Sequence, residues 1–242
     1  MEIVITMAGL GSRFREAGYT VPKYMIDAKG RTLFAWSMES LGGYGTGNNY
    51  FFIVRKEDDA GVFIRKECEA LGIRSFRIIE IDHVTDGQAT TAMLAAPMWD
   101  EGEPLLIYNI DTYVENGEMN SGQLAGDGFI PCFKAPGEHW SFVKLNEAGQ
   151  AVEVREKERI SDHCTLGAYY FKTCGLYQTL YREFYEEGRC KSLTGAEGRE
   201  RYVAPLYNYL ITKGGEVRIC DVPCEKVHVL GTPEELRAFL DE

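Results

Sequence analysis

The sequence predicts an α/β fold: a mostly parallel sheet flanked by helices, continuing into a β-rich second half. Three observations predict it. Apolar strand-like runs alternate with helix-period segments from the first residue. The early runs are mainly apolar, as suits strands covered on both faces. Beyond residue 128 the alternation gives way to strand-like segments separated by short gaps.

In order, Ile3-Val4-Ile5-Thr6-Met7 reads as a buried strand ending at Ala8-Gly9. Phe34, Met38 and Leu41 mark one face of a helix, and Tyr50 to Val54 a second strand. Ile64, Cys68 and Leu71 mark the next helix, and Arg77 to Ile81 the next strand. Ala89, Met93 and Ala96 lie on a helix that Pro97 limits, before a strand from Leu105 to Ile110. In the second half, Phe129 to Phe133, Ser141 to Leu145, Ala151 to Arg155 and Thr165 to Phe171 read as strands. Asn146-Glu147-Ala148-Gly149 supplies hairpin-turn chemistry between two of them. Helices are predicted from Leu176 to Glu187 and Arg201 to Thr212, and strands from Glu216 to Cys220 and Val227 to Leu230. Thr232-Pro233-Glu234-Glu235 opens the last helix with a capping residue, Pro at the first position and Glu three residues after the cap. With no repeat or linker, we expect one domain, residues 1–242, in two halves, 1–127 and 128–242.

Asp plus Glu number 37 against 26 Lys plus Arg, a formal charge of −11. This argues against nucleic-acid and anionic-membrane partners, which need a clustered cationic face. No run approaches the roughly 18 apolar residues of a membrane span, so a soluble, cytoplasmic protein is expected; self-association is left open. Seven irregularly spaced cysteines suit a reducing compartment, and Cys220 and Cys224 lack the second pair a tetrahedral zinc site needs.

Ala8-Gly9-Leu10-Gly11-Ser12-Arg13-Phe14, directly after the first strand, carries the clearest chemistry. Glycines there let backbone N–H groups approach a phosphate. Phe14 stands where the dinucleotide fingerprint has its third Gly, and the Gly-Lys-Ser/Thr of a Walker loop is absent. What remains is Gly-x-Gly-x-Arg with Pro22-Lys23 further on, two cations flanking a glycine turn, as a triphosphate would require; a plain strand-to-helix turn is the alternative.

Gly9 to Phe14 followed by Pro22-Lys23-Tyr24-Met25-Ile26 resembles the signature of sugar-phosphate nucleotidyltransferases. Asp86-Gly87-Gln88-Ala89, Tyr108-Asn109-Ile110-Asp111, Glu156-Lys157, Gly167-Ala168-Tyr169-Tyr170 and Gly231-Thr232-Pro233-Glu234 continue the likeness in the family's order along nearly the whole chain. The resemblance implies a GT-A-like, Rossmann-type fold and transfer of a nucleotidyl group from an NTP to a phosphorylated small-molecule acceptor. It implies that Ala8, Gly9, Gly11, Ser12 and Arg13 hold the triphosphate and that Lys23 lies near the α-phosphate. Gly87 and Gln88 would read the base, although a helix-opening amide is often only a cap. Asp111 would bind Mg²⁺, Lys157 the acceptor phosphate and Glu156 an acceptor polar group, while Gly167 leaves the acceptor room. Arg13, Lys23, Asp111 and Lys157 would be the catalytic set. Many relatives carry a second metal-binding Asp two residues before the Gly of Gly-Thr; here that position is Val229, with Asp221, Glu225 and His228 nearby as replacements.

The stretches Trp140 to Lys144, Ile160-Ser161 and Tyr202 to Asn208 resemble a subgroup tied to capsule or surface-polysaccharide synthesis, which includes cytidylyltransferases. A sugar 1-phosphate is the first expectation for the acceptor; phosphoglutamine or phosphocholine is the alternative. A non-catalytic nucleotide-binding protein is the rival from another class, motivated by Val229.

Overall fold

A computed structural model describes residues 1–189 and 200–242 of the chain. Its first half contains β1 (Glu2–Thr6), α1 (Ser12–Glu16), β2 (Asp27–Ala28), β3 (Arg31–Thr32), α2 (Leu33–Glu39), β4 (Asn49–Arg55), α3 (Gly61–Ala70), β5 (Phe76–Ile81), α4 (Gln88–Met93), β6 (Leu105–Asn109) and β7 (Thr112–Val114). The second contains β8 (Gly128–Phe133), β9 (Ser141–Leu145), β10 (Ala151–Glu156), β11 (Cys164–Thr165), β12 (Ala168–Phe171), α5 (Cys174–Tyr181), α6 (Ala204–Thr212), β13 (Val217–Asp221), β14 (Val227–Val229) and α7 (Pro233–Asp241).

One sheet crosses both halves in the order β10-β9-β11-β8-β12-β6-β1-β4-β5, with β13 paired to β8. The run β6-β1-β4-β5 is parallel, whereas the links from β12 to β10 are antiparallel. Successive residues of a strand face opposite sides. Val4, Phe51, Ile53 and Ile107 therefore enter one core with α4, α5 and α6, while Ile3, Ile5, Phe52 and Tyr108 enter the other with α2 and α3. A third, smaller cluster packs Leu236 and Phe239 of α7 against Phe14, Tyr113 and Leu230, tying the last helix to the first loop.

The predicted strand from Thr165 to Phe171 is interrupted at Leu166-Gly167, which separates β11 from β12. Both pieces pair with β8 along one edge; along the other, Cys164 faces Phe142 of β9 while Tyr170 faces Leu106 of β6. The sheet therefore splays between β9 and β6, opposite Gly167. The last predicted strand also differs in placement, because β14 leaves the main sheet and pairs with β7. The α4 segment tightens into three-residue turns after Met93, with Ala96 N–H donating to the Met93 carbonyl at 3.0 Å. α5 runs on as a π-helical turn over Arg182–Glu186. α6 begins at Ala204 instead of Arg201: the Arg201 carbonyl accepts from the Ala89 N–H at 2.9 Å, and Pro205, four residues on, has no N–H to give it.

Among the described residues no helix is long and apolar enough to cross a membrane. Cys190 lies outside the described residues; the other six cysteines are free thiols, and burial pushes Cys68 up to about 12 and Cys220 to about 11.

Candidate active site

The splay opens into a cleft of about 520 Å³, within the range of small-molecule sites. It lies at the carboxyl ends of β1 and β6, whose parallel register puts Thr6 beside Asn109, so the glycine loop and the Asp111 turn face each other.

Ala8, Gly9 and Arg13 line the cleft, while Gly11 and Ser12 stand one step back where α1 begins. Gly11 has φ 62°, a left-handed conformation that glycine adopts without strain, and it turns the chain into α1. Arg13 is exposed and forms no ion pair among the described residues. Lys23, just after Pro22, reaches Asp111 with Nζ at 2.5 Å from Oδ2. Each of these side chains is about a quarter exposed, 22% and 27%, so the pair is partly shielded but open to the cleft.

Asp111 occupies the corner between β6 and β7. The Tyr108 hydroxyl donates to the Thr112 carbonyl at 2.7 Å, and the Leu230 N–H donates to the Asp111 carbonyl at 2.8 Å. The second contact brings Gly231, two residues past the end of β14, against the Asp111 carboxylate. Of the three replacements considered for the ligand missing at Val229, none turns to this corner. Asp221 pairs with His163 at 2.8 Å, His228 stacks on Tyr113 and pairs with Glu242, and Glu225 is exposed. Glu235 lines the cleft instead, a residue the sequence accounts for locally as part of a helix cap.

On the opposite wall, Gly87 and Gln88 line the cleft at the start of α4. The Gln88 amide donates to Thr6 Oγ1 at 3.1 Å, leaving its carbonyl oxygen as the remaining polar group. The Gly87 turn is clamped by Arg201: its carbonyl accepts from Ala89 N–H at 2.9 Å and its guanidinium pairs with Asp86 at 3.0 Å. A side chain at position 87 would collide with the Arg201 backbone.

Glu156 and Gly167 line the far end with Ser141, Trp140 and Tyr202. The Ser141 hydroxyl donates to Glu156, yet burial outweighs that bond and holds the carboxyl above its ordinary value. Lys157 has φ 57°, a strained conformation for a side-chain-bearing residue, and its N–H donates to the Trp140 carbonyl at 2.8 Å. Its ammonium meets the Tyr202 hydroxyl at 2.7 Å, a bond that raises the lysine's pKa and keeps it charged. Lys157 thus reaches the cleft through Tyr202, as Lys23 does through Asp111. At Gly167, φ 78°, a Cβ would collide with the Asn109 amide; the space at this glycine is filled by Asn109, whose buried Oδ1 has no partner among the described residues. Asn109, Tyr202 and Glu235 lie in stretches quoted from the sequence without a site role of their own, and long-range contacts bring them to the cleft, with Arg201 behind the Gly87 turn.

A cleft with a glycine loop, two cations and a carboxylate at the sheet's carboxyl edge suits transfer between phosphates. No family model and no curated sequence matches the chain. Solved structures do. A nucleoside-diphosphate-sugar pyrophosphorylase from Vibrio cholerae RC9 is 37% identical, with a TM-score of 0.90 over 99% of this chain and 100% of that one. The inositol-1-phosphate CTP transferase of T. maritima shares the fold at 18% identity, TM-score 0.76, covering 100% and 96% of the two chains. HddC from Yersinia pseudotuberculosis does so at 16% identity, TM-score 0.66, covering 99% and 98%. The fold and the site define a nucleotidyltransferase. The chain belongs to the family of nucleoside-diphosphate-sugar pyrophosphorylases, enzymes that move a nucleoside monophosphate from an NTP to a phosphorylated acceptor.

Proposed function

We propose that this enzyme, in the cytoplasm, transfers NMP from an NTP to a sugar 1-phosphate and releases pyrophosphate, supplying a precursor for capsule or surface polysaccharide. The observation that carries this reading is the opposition across one cleft of the Gly9-to-Arg13 loop with Lys23–Asp111 and the Glu156–Lys157–Tyr202 cluster. The two halves would divide the work, residues 1–127 holding the NTP and 128–242 the acceptor.

An acceptor phosphate oxygen attacks the α-phosphorus; a new P–O bond forms as the bond to the β-phosphate oxygen breaks, and the electron pair leaves with pyrophosphate. A phosphate monoester, with a second pKa near 6, is already mostly a dianion at neutral pH, so no strong base is needed. The barrier comes from repulsion between anions and from the charge of the leaving group. Backbone N–H groups of Ala8 to Ser12 and the Arg13 fork hold the β- and γ-phosphates. Lys23 draws the α-phosphate and the incoming phosphate together, Gly87 and Gln88 orient the base, and Lys157 with Glu156 fixes the acceptor beside Gly167.

Mg²⁺ fits the Asp111 corner: Asp111 is a hard oxygen donor at a partly shielded position, and the Lys23 ammonium already occupies it as a cation. Asp111 would hold the ion. When bound, it supplies charge neutralisation for the phosphates. With the ion held by Asp111, Lys23 would be free to serve the phosphates.

The second reading, a cytidylyltransferase acting on a non-sugar acceptor such as phosphocholine or phosphoglutamine, is favoured by Glu156, Glu200 and Trp140 around the acceptor end. Two carboxylates beside an indole suit a cationic group.

The test is pyrophosphate release from CTP, UTP, dTTP, GTP and ATP against sugar 1-phosphates, phosphocholine and phosphoglutamine, with Asp111→Asn as control. Turnover with a sugar 1-phosphate, reduced at least about a hundredfold in the variant, is the expected result. Turnover with phosphocholine or phosphoglutamine alone selects the second reading, and none with any pair contradicts both.

A further inference from the structure

Glu235 stands three residues after the Thr232 cap, where a capping-box carboxylate would turn back to the cap's own N–H. Only half of that arrangement forms: Thr232 Oγ1 accepts from the Glu235 N–H at 3.1 Å, and the carboxylate does not return the bond. Glu235 Oε2 is instead buried with no hydrogen-bond partner among the described residues, at the wall of the cleft. Leaving a carboxylate oxygen in that condition is unfavourable unless something else meets it.

What it faces is Asp111. A Cβ built on Gly231 would lie 3.3 Å from Asp111 Oδ2 and 3.5 Å from Glu235 Oε2. The two carboxylate oxygens thus border one small space over a glycine, which a side chain at 231 would fill. The Asp111 carbonyl accepts from the Leu230 N–H and the next carbonyl, Thr112, from the Tyr108 hydroxyl, while Glu235 rides on α7, whose Leu236 and Phe239 pack with Leu230, Phe14 and Tyr113. Two like charges facing one space repel unless a cation lies between or beside them. In this structure Lys23 serves Asp111 alone, and no cation pairs with Glu235 among the described residues. Val229, two residues before Gly231, lines the same cleft and offers no donor.

We infer that Glu235 is the second carboxylate of the divalent-cation site, reaching the ion from α7 in place of a β14 side chain. Among the described residues no three His, Cys, Asp or Glu side chains form a metal cage, so water would complete the shell in the free enzyme and substrate phosphates would exchange for part of it, an arrangement Mg²⁺ favours. This inference rests on the reading of Asp111 as a metal ligand.

Mn²⁺ titrated into the full-length enzyme and followed by electron paramagnetic resonance tests it without turnover. Glu235→Gln is expected to weaken Mn²⁺ binding at least about tenfold, as is Asp111→Asn, at an unchanged melting temperature. Thr232→Ala, which removes the cap alone, lowers the melting temperature and leaves Mn²⁺ affinity unchanged. If Asp111→Asn loses Mn²⁺ and Glu235→Gln does not, the inference fails while the reading of Asp111 stands. If neither variant changes it, or the parent enzyme binds no Mn²⁺, the metal reading falls as well.

Discussion

Lys23 and Asp111 are 88 residues apart in sequence and meet at 2.5 Å. Without substrate each neutralises the other, which lets a partly shielded cleft keep two charges ready for phosphates. Glu156 carries the opposite kind of tension, because burial raises its pKa. The carboxyl protonates above the ordinary carboxylate range, so the acid limb of kcat/KM for the acceptor is expected above about pH 4.5. A pH profile of Glu156→Gln should lack that limb at a lower acceptor affinity. The stability sign follows from the same shift. Between the unfolded and the raised folded pKa the native state binds the extra proton, so stability falls as pH rises through that window. The Gln variant therefore unfolds at a higher temperature than the parent at neutral pH, and scans at pH 4 and pH 7 check it. Asp111, Lys23 and Arg13 were candidates from the start because the motifs that carry the family resemblance contain them. Glu235 was not, since a helix cap explains that Glu locally; its orphaned oxygen appears only when α7 folds back over the first loop.

At the scale of elements, the interrupted strand β11–β12 shapes the site. Periodicity over Thr165 to Phe171 predicts one strand, and local pattern has no means of registering that its outer edge changes partner from β9 to β6. The break falls at Gly167, where positive φ and the adjacent Asn109 amide exclude a side chain. Gly167→Ala is expected to destabilise the fold by about 1–3 kcal/mol through left-handed strain and to weaken substrate binding by displacing Asn109. A denaturant midpoint and substrate KM values separate the two effects. The strands β1, β4 and β6 were legible because their runs are strongly apolar, while β5, at the sheet edge, mixes Arg77 and Glu80 with Ile78, Ile79 and Ile81. The two- and three-residue strands β2, β3 and β7 were too short to show a period, and β14's pairing with β7 is a tertiary choice.

Across the whole molecule, a chain of net charge −11 handles a polyanion. The candidate cations are few and local: Arg13 and Lys23 on the side of the parallel strands, and Lys157 on the side of the β-rich half. Bulk charge excludes nucleic acid as an expectation, and the cleft wall itself mixes Arg13 with Asp111, Glu156, Glu200 and Glu235, so a polyanion there depends on the few cations at its rim. The central claim is that this cleft joins an NTP's α-phosphorus to an acceptor phosphate. With the substrate pair selected by the release screen, NTP labelled with ³²P at the α or the γ position tests it most directly. The α-label is expected in an acceptor-dependent nucleotidyl product and the γ-label in pyrophosphate. Release of the α-label as free NMP, with or without acceptor, would contradict it.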